Sequence, residues 1–388
     1  MAQKNMKAIV NAKILCDDTI VEDAILVFDN KIVTMTKEVV PKGSEIIDAK
    51  GAYVSAGFID LHVHGSGGAD VMDATAESLE VLSRSLLQTG VTSFLATTMT
   101  MSNEAIGKAL QNVQDYAQSV TGATILGVHL EGPFINVSRH GAQNKAYVQP
   151  PTMALIEPYM QAIKMITLAP EVEGAKAFVE HVKSVHPHVV LSVGHSDAEY
   201  ERCKEGFEWG ISHATHLFNA MSPYHHRSPG IVGAVFDSDV TCDIIADLVH
   251  THPSVLELVY TMKKEKLILI TDAMRAGCIK CGTYDLGGQR VEVDDKKAVL
   301  EDGTLAGSIL KMNEALSNMT QHTSMGLLEA VSAATKVPAQ KLGVNKGELK
   351  TGYDADIVIF DENFSIISTI VKGEIQYTRE SMTSLVCS

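Results

Sequence analysis

The stretch Gly57-Phe58-Ile59-Asp60-Leu61-His62-Val63-His64-Gly65 sets a carboxylate and two imidazoles at alternate positions. Read as a strand running into a turn, it points His62 and His64 to one side, with Asp60 behind them. Paired imidazoles at a strand end make half of a metal site. Two structural histidines at a strand terminus are the other reading, and so short a motif does not decide between them. The rest of the chain offers partners: His129-Leu130-Glu131-Gly132-Pro133, Val193-Gly194-His195-Ser196-Asp197, the run from His213 through His216 and Asn219 to Met221, Asp247 with His250, and Thr271-Asp272-Ala273. Glu131 reads as a carboxylate able to bridge two ions, or else as a helix cap or surface acid. His195 and His216 read as ligands or as satisfied loop histidines. Asp272 follows the apolar run Leu267-Ile268-Leu269-Ile270, where a carboxylate needs a partner or a chemical role. Beside a metal ion it can take a proton from an attacking water and return it to a leaving nitrogen. His129 and His213 read as structural, because His213 and His216, three apart, point to opposite sides of a strand. His225 and His226 read as loop residues. His140, His181, His186, His188 and His322 have no motif around them.

These residues need a scaffold that gathers strand ends. Eight short apolar runs fit strands: Phe58–His64, Val91–Thr97, Ile125–Leu130, Met165–Leu168, Val189–Val193, Ile211–Ala214, Cys242–Ala246 and Leu267–Ile270. Amphipathic stretches such as Ala76–Thr89, Asn103–Val120, Gly174–Val185 and Pro253–Lys263 lie between most of them, and Ile309–Thr320 and Gly326–Ala334 follow. Repeated βα units predict an α/β fold, a (β/α)8 TIM-type barrel, whose reactive groups sit at the carboxyl ends of the strands. Six of the eight strand ends carry a ligand-type or acid/base residue. A doubly wound open sheet competes, but no Gly-x-Gly-x-x-Gly follows a strand.

Outside the barrel, Ala8–Leu15, Ala24–Phe28 and Lys31–Met35 are β-rich, with Asp29-Asn30 as a hairpin signal. Ile46–Asp48 and Ala52–Val54 continue the pattern. Ala355–Phe360, Ser365–Val371 and Ile375–Tyr377 turn β again at the other end. We therefore expect residues 1–55 and 346–388 to build one small β-sandwich domain beside a catalytic barrel at 56–345. The net charge of −15 and the lack of any Lys/Arg run argue against a nucleic-acid partner. No run reaches membrane-spanning length and no leader-type apolar segment opens the chain, so a cytoplasmic protein without a membrane partner is expected. The six cysteines are scattered, and the lone Cys278-x-x-Cys281 pair reads as free thiols rather than a zinc or redox site.

Together these motifs resemble the amidohydrolase superfamily over almost the whole chain. The specific blocks are His129-Leu130-Glu131-Gly132-Pro133-Phe134 and Thr215-His216-Leu217-Phe218-Asn219-Ala220-Met221, beside Thr271-Asp272-Ala273-Met274, Gly303-Thr304-Leu305-Ala306-Gly307-Ser308 and Gly352-Tyr353-Asp354-Ala355-Asp356. They resemble those members that hydrolyse the acetamide of N-acetyl-D-glucosamine 6-phosphate to D-glucosamine 6-phosphate and acetate. The resemblance implies one or two divalent ions per subunit, zinc first, with iron, manganese or cobalt as alternatives. Glu131, His195 and His216 would hold the principal ion, and His62 and His64 a second one with Glu131; members without the His-x-His pair work with one. Asp272 would be the general base and then the acid. Arg227 would meet the sugar phosphate from the neighbouring subunit of a homodimer. His250, Asn219, Ala220 and Leu305 would also contact the substrate, and Gln143 would meet its acetamido end. Leu248 stands where the family has glycine. The galacto epimer, another amide hydrolase or deaminase of the superfamily, and an inactive scaffold on the same barrel are the rival readings.

Overall fold

The structure, a computed structural model, describes residues 6–379. Its centre is a parallel sheet of eight strands: Phe58–Val63, Val91–Thr97, Thr124–Glu131, Ile163–Leu168, Val190–Val193, His213–Ala214, Thr241–Ile245 and Leu267–Ile270. Each pairs with the next in chain order. Strands covered on both faces read as nearly continuous apolar runs, which makes them visible in the sequence. The second and eighth are buried at every residue. The two edges of the sheet meet at the carboxyl end. There Asp272 N donates to His62 O at 2.8 Å and His64 N donates to Ala273 O at 2.9 Å, and Val63 bridges Ala273 in parallel. This consecutive order and the closed seam make the fold a (β/α)8 barrel and exclude the open sheet.

Helices pack the outside by ordinary periodicity. In Ala76–Leu86, Leu79, Leu82 and Leu86 fall on one face and are buried. Its Thr75 side chain caps the start, accepting from Ser78 N at 3.1 Å, worth about 1 kcal/mol.

Both chain ends build the β-sandwich. One sheet runs Ile32–Thr36, Ile25–Phe28, Lys7–Val10, Glu45–Asp48; the other runs Glu374–Thr378, Ile366–Val371, Ile357–Phe360, Tyr53–Ala56, Lys13–Cys16, Thr19–Val21. Ile9, Leu26, Ile14, Val54, Ile357 and Ile370 share the core between them. The expected single strand Ala8–Leu15 is two strands in different sheets. Asn11 breaks it at φ 53°, a left-handed value that asparagine tolerates better than most residues.

Two elements differ from expectation. A three-stranded antiparallel sheet, Gly282–Leu286, Gln289–Val293 and Ala298–Leu300, follows the eighth strand. Its first strand, Gly-Thr-Tyr-Asp-Leu, buries only Leu286, so its composition is that of a loop. Helix Lys336–Leu342 contains Pro338, which reads as a breaker but is tolerated in a first turn. Among the described residues no helix is long and apolar enough to cross a membrane. The five described cysteines are free; Cys387 lies outside the described residues.

Candidate active site

The carboxyl ends of the barrel strands surround a pocket of about 220 Å3. His64, Glu131, His195, His216, His250 and Asp272 line it, as do Gln143, Asn219, Ala220 and Leu305. His62 lies fully buried beneath. Arg227 is exposed and does not line this pocket; its Nη1 lies 2.8 Å from His226 Nε2.

Each ligand-type side chain is aimed by its own strand end. The first strand places His62 inside the barrel and His64 just beyond its end. His64 Nδ1 faces Thr97 O at 3.2 Å, which leaves Nε2 for the pocket. Gly65 must follow, because a Cβ there would lie 2.4 Å from Ala69 O. Glu131 closes the third strand. The fifth strand ends at Val193 and Gly194 follows, where a Cβ would sit 2.6 Å from Thr167 Cγ2. His195 then turns inward and donates from Nδ1 to Arg139 O at 2.9 Å. His195, His216 and Asp272 all hold left-handed backbones, at φ 49°, 31° and 50°. Such conformations cost of order 1–3 kcal/mol each and persist where the surroundings fix them.

The polar tips converge. Glu131 Oε1 lies 2.9 Å from His216 Nε2, 3.1 Å from His195 Nε2 and 3.4 Å from His62 Nε2. Glu131 Oε2 lies 3.2 Å from His64 Nε2. Asp272 Oδ1 lies 3.4 Å from His62 Nε2 and 3.3 Å from His64 Nε2, and those two nitrogens are 3.2 Å apart. Two trios of ligand atoms are mutually close, His62–His64–Asp272 and His62–Glu131–His216. Ligands of one tetrahedral zinc, bound at about 2.0–2.1 Å, stand about 3.3 Å apart. The 3.2–3.4 Å spacing of His62, His64 and Asp272 fits that figure, and the nitrogen and oxygen donors of the cluster suit a divalent cation. His195 joins this set through Glu131.

The electrostatics favour positive charge in the same place. Burial disfavours protonated His64, yet the hydrogen bonds and charges of Asp272 and Glu131 outweigh it and raise its pKa well above the ordinary value. Burial likewise opposes charge on His216, but the hydrogen bond and charge of Glu131 lift it to about 9. Burial would raise both acids. The surrounding imidazoles instead hold Glu131 well below the usual range, and His62 and His64 bring Asp272 to about 2. Two buried carboxylates thus need balancing positive charge, which a divalent ion held by this cluster would supply.

The other expected residues fall out variously. His250 Nδ1 faces Asp247 Oδ2 at 2.7 Å, with the ring at the pocket wall. Asn219 Nδ2 is buried without a hydrogen-bond partner, and Ala220 sits at φ 50°. Gln143 lines the pocket with both ends of its amide engaged. Its Nε2 donates to Glu131 Oε2 at 2.7 Å, and its Oε1 accepts from Thr100 N at 2.6 Å. Leu248 takes the left-handed backbone, φ 63°, that a glycine would adopt freely. His129 is structural. Its nitrogens face Leu61 O at 3.0 Å and Thr167 Oγ1 at 2.7 Å, and burial, then the charge of His62, lowers its pKa to about 3. His213 is structural as well, 2.8 Å from Asp243 Oδ2.

Asp243 escaped sequence reasoning. It accepts a hydrogen bond from His216 N and so fixes the left-handed turn that presents this imidazole. Its signal was present: a lone acid inside Thr-Cys-Asp-Ile-Ile, as anomalous as Asp272. The sequence places Asp60 behind the histidine pair, and the fold shows what it does there. Thr271 Oγ1 donates to Asp60 Oδ2 at 2.5 Å and His62 N to Oδ1 at 3.1 Å, so the carboxyl ties the first strand to the last. Burial raises its pKa to about 7.

Comparison with known proteins places this geometry in a family. The amidohydrolase family model matches residues 53–376. An N-acetylglucosamine-6-phosphate deacetylase of Bacillus subtilis (strain 168) is 40% identical over 363 residues, covering 90% of this chain and 91% of its own. The deacetylase of the same name from Lysinibacillus sphaericus is 41% identical over 356 residues, covering 90% and 92%. The crystal structure of the Pasteurella multocida deacetylase superposes with a TM-score of 0.91 at 32% identity, covering 95% of this chain and 99% of that one.

Proposed function

The chain belongs to the amidohydrolase family, and we propose that it hydrolyses the acetamide of N-acetyl-D-glucosamine 6-phosphate to D-glucosamine 6-phosphate and acetate. The convergence of Asp272 with the histidine–glutamate cluster at the floor of one pocket carries this reading. The named activity of relatives at 40% and 41% identity supports it.

Glu131, His195 and His216 would hold one divalent ion, zinc for preference, and His62 and His64 with Glu131 a second. Such an ion polarises a carbonyl and lowers the pKa of water towards ~7. Asp272 is ionised at neutral pH, its carboxyl brought to about 2 despite burial by His62 and His64. It takes the proton of the attacking water as the water oxygen bonds to the acetamide carbon. It gives that proton to the nitrogen as the C–N bond breaks, so amine and acetate leave without a second acid. Gln143 orients Glu131 through its amide, and Asn219 offers its unpartnered Nδ2 to the sugar or phosphate.

A sugar phosphate carries nearly two negative charges. Among the described residues, no lysine or arginine lines the pocket. By its family resemblance we assign the phosphate to Arg227 of a second copy in a homodimer, whose planar fork matches phosphate oxygens. The same reading divides the chain at 55/56 and 345/346 and sets the enzyme in the cytoplasm, in keeping with its free cysteines.

The test is acetate release from N-acetylglucosamine and N-acetylgalactosamine, each with and without a 6-phosphate. The 6-phosphorylated gluco compound should be hydrolysed fastest. No release from either phosphorylated sugar would reject the proposal.

A further inference from the structure

We propose that Met99 and Leu286 gauge acyl length, admitting an acetyl group and turning away longer chains. This rests on the deacetylase reading above and names a determinant of its specificity.

The pocket lining is chemically mixed. Asn219 and His250 are polar and suited to hydroxyls and phosphate. Met99, Leu286 and Ala142 pack together as an apolar wall. The scissile carbonyl must sit at the cluster of Asp272, His64 and Glu131. Of the two groups on that carbonyl, the nitrogen leads to the sugar and belongs with the polar residues. The acyl chain is left to face the apolar wall. That wall begins one side chain from the cluster: Gln143 Nε2 lies 2.7 Å from Glu131 Oε2 and 3.5 Å from Met99 Sδ.

The wall is also stiff. Met99 and Leu286 are 2% and 1% exposed. They share a small core with Met274, Val291, Ala298 and Ala306, separate from the barrel core. The hairpin turn after Leu286 rests on Met99, since a Cβ at Gly287 would lie 3.5 Å from Met99 Cε. Gln289 Nε2 anchors the hairpin to Ala142 O at 2.6 Å. A close-packed wall cannot recede for an added methylene. The three-stranded insertion is thereby part of the pocket, because its first strand delivers Leu286 and its turn braces Met99.

The experiment compares kcat/KM for N-acetyl-, N-propionyl- and N-butyryl-glucosamine 6-phosphate, using the full zinc-loaded chain. One methylene in a snug pocket is worth about 10–200-fold, so the natural chain should lose at least ~10-fold at each step. Leu286→Ala should raise the propionyl-to-acetyl ratio by at least ~10-fold, and Met99→Ala should shift it the same way. Ratios on one preparation cancel any loss of folded protein. A ratio within about twofold of the natural chain in both alanine variants, with acetate still released, overturns the gauge alone. So does a natural chain that hydrolyses all three acyl groups equally well. A natural chain that releases no acetate from the phosphosugar overturns the deacetylase reading first, and the gauge with it.

Discussion

The two halves of the histidine–carboxylate cluster are built differently. His62, His64 and Asp272 come from the first and last barrel strands, which meet at the seam. Asp60 and Thr271 lock that seam across the sheet edges, and the three side chains stand 3.2–3.4 Å apart. Glu131, His195 and His216 follow the third, fifth and sixth strands, away from the seam, with contacts of 2.9 and 3.1 Å. Here the histidine backbones are left-handed and need outside support, from Arg139 O at one and Asp243 at the other. The seam half is positioned chiefly by sheet pairing, with one left-handed turn at Asp272, and the other by two left-handed turns held in place. Glu131 belongs to both, through Oε1 and Oε2. The shared carboxylate should therefore matter most, and each half should fail through its own support.

The largest loss should follow Glu131→Ala. Elemental analysis should find almost no bound metal, and acetate release should fall below that of any other single variant. Asp272→Asn should lower kcat by about 10²–10⁴-fold while calorimetry still detects substrate binding. Near-normal turnover would sink its role as proton shuttle. Next comes His62→Ala, which removes a seam donor that also lies close to Glu131 and His216. Metal per chain should fall, with turnover reduced less than in Asp272→Asn; an unchanged metal count would show that the seam half holds no ion. Smallest are the supports. Asp243→Asn and Asp60→Asn should each weaken metal affinity by about 10–100-fold, the usual cost of disturbing a residue behind a ligand. They should do so on different halves. Asp243→Asn should mimic loss of His216, and Asp60→Asn should mimic loss of His62. Indistinguishable effects on metal titration would erase the distinction between the halves.

The seam half was legible in sequence because it is local. His62 and His64 alternate on one strand, and Asp272 interrupts the end of an apolar run. The other half was legible only as a set, since Glu131, His195 and His216 are each unremarkable until eight strand ends are laid on one face. What stayed hidden depends on distant contacts. The left-handed turns at His195 and His216 follow from groups such as Arg139 O and Asp243, which no local pattern reports. Gln143 presents an amide to the pocket in any sequence reading, and only the fold shows that Glu131 and Thr100 occupy it. The insertion at Gly282–Leu286 is polar along its exposed face, so its strand alternation was too weak to see. The sandwich was visible in outline, yet its first run hid a change of sheet at Asn11.

Metal dependence and the proton shuttle can be tested together on one preparation. Acetate release from N-acetylglucosamine 6-phosphate is followed through chelation and then metal restoration, with bound metal quantified at each stage. We predict that activity falls with the metal, and that zinc restores both together in the natural chain. In Asp272→Asn, zinc should restore the metal and not the activity. Undiminished acetate release from the metal-free chain, or full recovery in Asp272→Asn, would contradict the metal-assisted mechanism proposed for this pocket.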